Sequence, residues 1–277
     1  MKIDGSTLLF ATPGDPVAQV RLPEVMQIVF EKLGINAVWV PMHADAEGLK
    51  AVVQALRSVR NFRGITVAIP HKPAIGALLD RISPRAEASG SVNLVRLDPD
   101  GKLFGDIADG AGFVRGLALR GHAVQGKSAW LVGVGGGGSA VAAALAEAGA
   151  RRLYLTETNP GRAADMEKRL RRYYPKTEIE IVAKPAAAVD FAINATPCGL
   201  QRDDPLPFDP GALSPGTLVC DIIMKPKDTA LLQAAKARGL RIHHGHHMLD
   251  AQIPMYLKFF GIPFPDEQAV IRISSQA

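Results

Sequence analysis

The feature that most constrains this chain is a run of glycines, Gly133-Val134-Gly135-Gly136-Gly137-Gly138, set between an apolar stretch and an alanine-rich one. Trp130-Leu131-Val132 ahead of it has the composition of a buried strand, and the alanine-rich Val141–Ala148 behind it forms helix readily. A strand that turns through G-x-G-x-x-G into a helix is the phosphate-binding corner of a dinucleotide fold. The first glycine permits the tight turn, the second lets a pyrophosphate approach the backbone, and the third lets helix and strand pack closely. The helix N-terminus then offers unpaired N–H groups and a partial positive charge. Gly133, Gly135, Gly136, Gly138 and Ser139 are therefore the expected cradle for cofactor phosphates. A merely flexible loop would not need those flanks.

The next strand candidate, Leu153-Tyr154-Leu155, ends at Thr156-Glu157-Thr158. Glu157 stands roughly twenty residues beyond the glycines, where a carboxylate takes the adenosine ribose hydroxyls. An anion there hydrogen-bonds a free 2′-hydroxyl and repels a 2′-phosphate, so the expected cofactor is NAD rather than NADP.

Around this corner the chain alternates strand and helix signals. Ser6–Ala11, Ala37–Pro41 and Gly64–Ile69 read as strands, and Pro23–Leu33 and Ala46–Val59 as helices. Further on, a helix from Gly110 to Leu119 and another over Arg162–Tyr173 are expected. Strands are expected at Ala129–Val134, Leu153–Thr156, Glu178–Val182, Phe191–Asn194 and Leu218–Ile223. Cys198–Thr217 reads as a loop with turns, and Met248–Phe260 as a helix. The alternation predicts an α/β protein with a largely parallel sheet.

Composition sets the remaining bounds. Of 277 residues, 47% are hydrophobic and 21% charged, the profile of a globular protein with a proper core. The net charge of +5 is mild, and no aromatic residues interleave with the basic ones, so no nucleic-acid partner is expected. Two cysteines, Cys198 and Cys220, form no metal-ligand or disulfide framework. Met1–Asp15 lacks a signal pattern and no apolar run spans a bilayer, so neither a membrane partner nor export is expected, and a cytoplasmic location is.

Six further segments, in order, give the chain a resemblance that covers nearly all of it. Gly14-Asp15-Pro16-Val17-Ala18 followed by Pro23, Gly64-Ile65-Thr66-Val67-Ala68-Ile69-Pro70-His71-Lys72, Gly90-Ser91-Val92-Asn93 and Gly105-Asp106-Ile107-Ala108-Asp109-Gly110 come before the glycine run. Asn194-Ala195-Thr196-Pro197-Cys198-Gly199 and Gly245-His246-His247-Met248-Leu249-Asp250-Ala251-Gln252 follow it. With the glycine corner, this series resembles the shikimate/quinate dehydrogenase family.

The resemblance implies a two-domain α/β enzyme. An N-terminal substrate-binding and catalytic domain would span 1–108 and 246–277, and a Rossmann-type NAD(P)-binding domain 109–245. It also implies an oxidoreductase transferring hydride between a nicotinamide cofactor and a ring alcohol, a place in aromatic amino-acid biosynthesis, and a monomer or homodimer. Lys72 and Asp109 would be the catalytic pair. An acid–base group must touch the reacting oxygen, and a carboxylate beside a lysine raises its pKa and fixes its position. Thr66, Asn93 and Gln252 would meet the substrate. Asn194, Thr196 and Pro197 would flank the cofactor, with Met248 beside the nicotinamide.

The departures from the family pattern cluster. Two serines after the opening turn and one tyrosine in the late strand–loop, which hold the substrate carboxylate in the family, are Val20, Leu22 and Met224 here. The family's strand asparagine is Thr66, the threonine after it Ala68, and the asparagine of G-x-N-T-D-G is Ile107. Its N-R-T-x-x-R motif reads Thr156-Glu157-Thr158, without the arginine that clamps a 2′-phosphate. The expected substrate is a shikimate- or quinate-like ring whose carboxylate is missing or held differently. Arg21 or Gln19 would be a replacement, but strand alternation points Arg21 away from the pocket side of Val20 and Leu22. The alternatives are an NADP-dependent shikimate or quinate dehydrogenase, and a catalytically silent nucleotide sensor. His243, His244, His246 and His247 have no carboxylate or cysteine at ligand spacing, so no metal is expected.

Overall fold

The computed structural model describes residues 3–276; residues 1, 2 and 277 of the expected domain ranges lie outside the described residues. The chain divides into two compact units, one of Met1–Glu87, Ser91–Ala108 and Asp250–Ala277, the other of Ala88–Gly90 and Asp109–Leu249. Among the described residues no helix is long and apolar enough to cross a membrane.

The first unit begins β1 (Leu8–Gly14), α1 (Leu22–Leu33), β2 (Ala37–His43), α2 (Ala46–Ser58) and β3 (Phe62–Thr66). It continues with β4 (Arg81–Ile82), α3 (Pro84–Ser89), β5 (Leu94–Leu97) and β6 (Leu103–Asp106). Its sheet runs β2-β1-β3-β5-β6-β4. The strands β2, β1 and β3 are parallel, but β5 is antiparallel to both β3 and β6. The expectation of a largely parallel sheet holds, with β4 also parallel to β6, and the antiparallel strand β5 is the departure the sequence did not show. A hairpin closes through Asp98-Pro99-Asp100-Gly101, with Gly101 at φ 78 and its N–H donating to the Asp98 carbonyl. Its two strands are only four residues each, too short to show a period.

The core of this unit is aromatic. Phe10 stacks on Trp39 at 5.0 Å and meets the edge of Phe260 at 5.1 Å. Phe260 lies on β3, where a Cβ at Gly64 would come 2.1 Å from its ring. Gly64 is what lets the returning end of the chain seat an aromatic ring directly on the sheet.

The second unit contains α4 (Asp109–Ala118), β7 (Ser128–Val132), α5 (Gly136–Glu147), β8 (Arg152–Thr156), α6 (Pro160–Tyr173) and β9 (Glu178–Ile181). There follow β10 (Phe191–Asn194), β11 (Leu218–Asp221), α7 (Ala230–Ala237) and β12 (Arg241–His243). Then α8 (His246–Phe259) carries the chain back to the first unit, which ends in α9 (Glu267–Ser274). All six strands are parallel, in the order β12-β11-β10-β7-β8-β9. Counted from β7, this is the doubly wound order 3-2-1-4-5-6 read from the other edge, the Rossmann arrangement. The helix after the glycines starts at Gly136, inside the run, rather than at Ala140.

In this unit α4 and α5 abut: a Cβ on Gly110 would lie 1.9 Å from the carbonyl oxygen of Ala140. A backbone atom cannot swing away as a side chain would. Gly110→Ala is expected to cost about 2–3 kcal/mol and lower the thermal midpoint by several degrees in differential scanning calorimetry. An unchanged midpoint would show that the two helices do not meet at this point.

Candidate cofactor and catalytic site

In the doubly wound unit the strand order reverses between β7 and β10, and ligands bind outside the carboxyl ends of strands at such a switch point. Two loops stand there, Gly133–Gly135 after β7 and Ala195–Gly199 after β10. They touch. Gly133 has φ +93, and a Cβ there would lie 2.9 Å from the carbonyl of Ala195; one on Gly138 would lie 2.1 Å from the carbonyl oxygen of Gly133. The N-cap of α5 is Gly135, with no side-chain cap, so no side chain takes up the first-turn N–H groups. A loop whose one side chain, Val134, packs into the core, running into a helix without a side-chain cap, fits the pyrophosphate of a dinucleotide.

Glu157 follows the end of β8, its side chain only 5% exposed. Its carboxylate accepts hydrogen bonds from the backbone N–H of Val134 at 3.0 Å and of Asn159 at 2.9 Å. Burial alone would raise its pKa. Those N–H groups, with Arg162 at 3.5 Å, outweigh burial and hold it below the usual carboxylate value. It is a fixed anion against the glycine loop. Arg162 itself, in the first turn of α6, escaped the sequence reading because it looked like an ordinary helix residue; its position five residues after Glu157 is the signal.

The loop after β10 is organised by a buried carboxylate that the sequence reading missed. Asp221, fully buried at the end of β11, accepts from Ile223 N–H at 2.9 Å and Thr229 Oγ1 at 2.8 Å. The amide nitrogen of Asn194 lies 3.2 Å from both Asp221 oxygens and donates to the Cys198 carbonyl at 3.1 Å. Asn194 Oδ1 accepts from Thr196 N–H at 3.0 Å and Thr196 Oγ1 at 2.7 Å. That fills the hydrogen-bonding capacity of the amide. Asn194 shapes the loop from beneath, while Thr196 is half-buried, Pro197 exposed and Met224 half-buried.

In the other unit, β3 and β5 bring three expected residues together. Thr66 pairs with Leu94 in register, Val67 N–H donates to the Asn93 carbonyl, and Val92 N–H donates to the Lys72 carbonyl at 2.9 Å. Lys72, half-buried, is thus held by backbone beside Asn93. Asn93 Oδ1 accepts from Ala108 N–H at 2.9 Å, which leaves its amide NH2 as the donor end. Thr66 Oγ1 shares a 2.7 Å hydrogen bond with Thr12, which also accepts from the Trp39 indole at 2.8 Å. Gln252 Oε1 accepts from Tyr256 at 2.5 Å, fixing the amide's orientation. Asp109, 3% exposed, opens α4 in the doubly wound unit, where Met248 is also buried.

The segment of Val20, Arg21 and Leu22 is not a strand. Val20 ends a turn, Arg21 is the N-cap of α1 with φ −87 and ψ −22, and Leu22 is the first helical residue. Alternation therefore gives no reason to turn Arg21 away, and that part of the sequence argument is withdrawn. Leu22 is buried and Val20 half-buried. The histidines also differ from expectation. One ring nitrogen from each of His244, His246 and His247 lies within 4.8 Å of the others. A carboxylate does stand near, because Asp228, sixteen residues before His244, comes 2.9 Å from its Nε2. Distance along the chain hid it.

Comparison with known proteins agrees with this architecture. Residues 13–95 match the model of the shikimate dehydrogenase substrate binding domain. The chain is 39% identical to a shikimate dehydrogenase (NADP(+)) of Rubrobacter xylanophilus, over 90% of this chain and 88% of that protein. A Listeria monocytogenes shikimate 5-dehydrogenase, solved with shikimate and NAD, superposes with a TM-score of 0.87 at 27% identity, covering 99% of this chain and 98% of that one. The ligand-free 5-ketofructose reductase of Gluconobacter sp. strain CHM43 gives 0.85 at 26% identity, covering 98% of each. The chain belongs to the shikimate dehydrogenase family. It is an NAD(P)-dependent oxidoreductase acting on CH–OH groups.

Burial pushes the pKa of Asp221 up to about 6, against the hydrogen bonds from Ile223, Thr229 and Asn194. The folded protein then holds a proton that the unfolded chain, with its ordinary value of 3.8, gives up. Stability from this group is full below pH 3.8 and is lost as pH rises to about 6, with a slope of at most ~1.4 kcal/mol per pH unit. In urea titrations the wild-type advantage over Asp221→Asn should shrink across that window and stay level above it. A difference independent of pH would mean that Asp221 titrates alike in the folded and unfolded chain.

Proposed function

We propose that this enzyme interconverts a secondary alcohol and a ketone on a small polyhydroxylated substrate that lacks the carboxylate of shikimate, with NAD as its preferred cofactor. The observation that carries the substrate reading is the apolar trio Val20, Leu22 and Met224, where the resemblance expects three hydroxyls. Hydrogen bonds to a charged acceptor are worth roughly 1.5–3 kcal/mol each, and a carboxylate set against apolar groups loses its hydration without return. The similarity to a 5-ketofructose reductase supports the same direction, because that protein is named for a sugar ketone.

When bound, the nicotinamide supplies the hydride acceptor or donor. Lys72 gives a proton to the ketone oxygen in reduction and takes it back in oxidation, and Asp109 is its carboxylate partner. Asn93, Gln252 and Thr66 orient the substrate hydroxyls. Gly133, Gly135, Gly136, Gly138 and Ser139 hold the pyrophosphate, and Thr196, Pro197 and Met248 flank the nicotinamide. In this reading the unit of 1–108 and 246–277 binds substrate, and 109–245 binds cofactor.

The NAD preference rests on Glu157, a buried anion beside the glycine loop. A second reading, NADP-dependent turnover of shikimate itself, is favoured by Arg162 at 3.5 Å from that carboxylate and by the NADP(+) named for the Rubrobacter relative.

Steady-state kinetics separates the two. kcat/KM should be at least ~100-fold higher for a carboxylate-free ring polyol or ketose than for shikimate or quinate, the loss of two or more charged hydrogen bonds. In the paired variant Val20→Ser, Leu22→Ser the shikimate value should rise by ~10-fold or more. Efficient NADP-linked shikimate turnover by the wild type would replace the first reading with the second.

Lys72→Ala should bind NADH as the wild type does, by fluorescence, and turn over at least ~100-fold more slowly. Unchanged turnover would remove Lys72 from the reaction.

A further inference from the structure

At the junction of β12 and α8 four histidines crowd into one turn of chain. His246 and His247 have ring centroids 4.2 Å apart at 68°, and His244 stands 5.3 Å from His246 and 5.5 Å from His247. None of the three pairs is a flat stack, and one nitrogen per ring converges within 4.8 Å. His243, behind them, sets its Nδ1 3.4 Å from Nδ1 of His247 and its ring edge-on to Phe113.

We infer that His244, His246 and His247 form a binding site for a single first-row divalent cation of the zinc, nickel and copper class. Imidazole nitrogens bind such ions at about 2.0–2.1 Å, which sets three tetrahedral ligands ~3.3 Å apart. The observed nitrogens converge to within 4.8 Å, and the proposed site requires the three half-buried rings to close further to that spacing. Three imidazoles select this class over magnesium or calcium, which take oxygen ligands.

The fourth feature is Asp228. Its carboxylate accepts from, or is protonically linked to, Nε2 of His244 at 2.9 Å, which leaves Nδ1 for the ion. A carboxylate on the far nitrogen of a ligating histidine fixes its tautomer and raises its basicity.

The test uses the full chain without a histidine tag, titrated with Co2+ and followed by visible absorption. One equivalent should produce the intense bands of a low-symmetry, four-coordinate centre, and one equivalent of Zn2+ should abolish them. His244→Gln and His246→Gln should each weaken Zn2+ binding more than tenfold in calorimetry, and Asp228→Asn about tenfold, with melting temperatures near wild type. Should a histidine variant fail to fold, exposed Asp228 still reports. Absence of saturable binding up to millimolar ion would overturn the inference. So would equal affinity in the His244→Gln, His246→Gln double variant together with Asp228→Asn.

Discussion

The second unit depends on one steric fact, that from Gly133 to Gly138 every residue but the core-packed Val134 is glycine as the chain turns from strand to helix. Gly133 sits at a backbone angle that other residues resist, and Gly138 packs its α-carbon under the Gly133 carbonyl. This close packing sets where α5 begins and therefore where its N–H groups point. The same compactness lets the loop after β10 lie against Gly133. Two loops from strands on either side of the topological reversal thus become one surface. Adding a methyl group at either glycine would separate them and move the phosphate-binding end of the helix.

That surface is braced from below by polar groups that never reach it. Asp221 and Asn194 form a buried network, satisfied on every side by Ile223, Thr229, Thr196 and Cys198. A buried carboxylate costs desolvation energy, and here the hydrogen bonds only partly offset it, which is why its pKa rises. The cost is accepted at one of the two loops that must keep its shape when a cofactor arrives. Hydrogen bonds give a loop a defined shape that apolar contacts, being non-directional, would not.

Much of this was legible in the sequence, and what was not follows a pattern. The doubly wound unit has long helices and apolar strands with strong periodicity, so β7, β8 and β10 stand within a residue or two of where the sequence puts them. The glycine corner carries its own physics. The hairpin of β5 and β6 was not legible because four-residue strands carry almost no period, and its antiparallel pairing depends on register with β3. The turn from Val20 to Leu22 was misread because its residues are compatible with a strand; the N-terminus of α1 there has no side-chain cap to announce it. Asp221 and Asp228 were missed for a common reason: each acts on a residue brought near by folding, Asn194 and His244, and no local spacing marks it.

A fixed charge is built into the same corner. Glu157 is not an isolated determinant waiting for a ribose: one of its oxygens already accepts from Val134 N–H, within the glycine loop, and the other from Asn159 N–H at the start of α6. A carboxylate has about four acceptor positions, and with Thr158 Oγ1 also donating at 3.2 Å three of them are occupied. Its replacement by a cation would remove an acceptor from two backbone donors and set like charge beside Arg162. The loop geometry and the sign of the charge at this point are therefore coupled, so a charge change at Glu157 would also loosen the glycine turn.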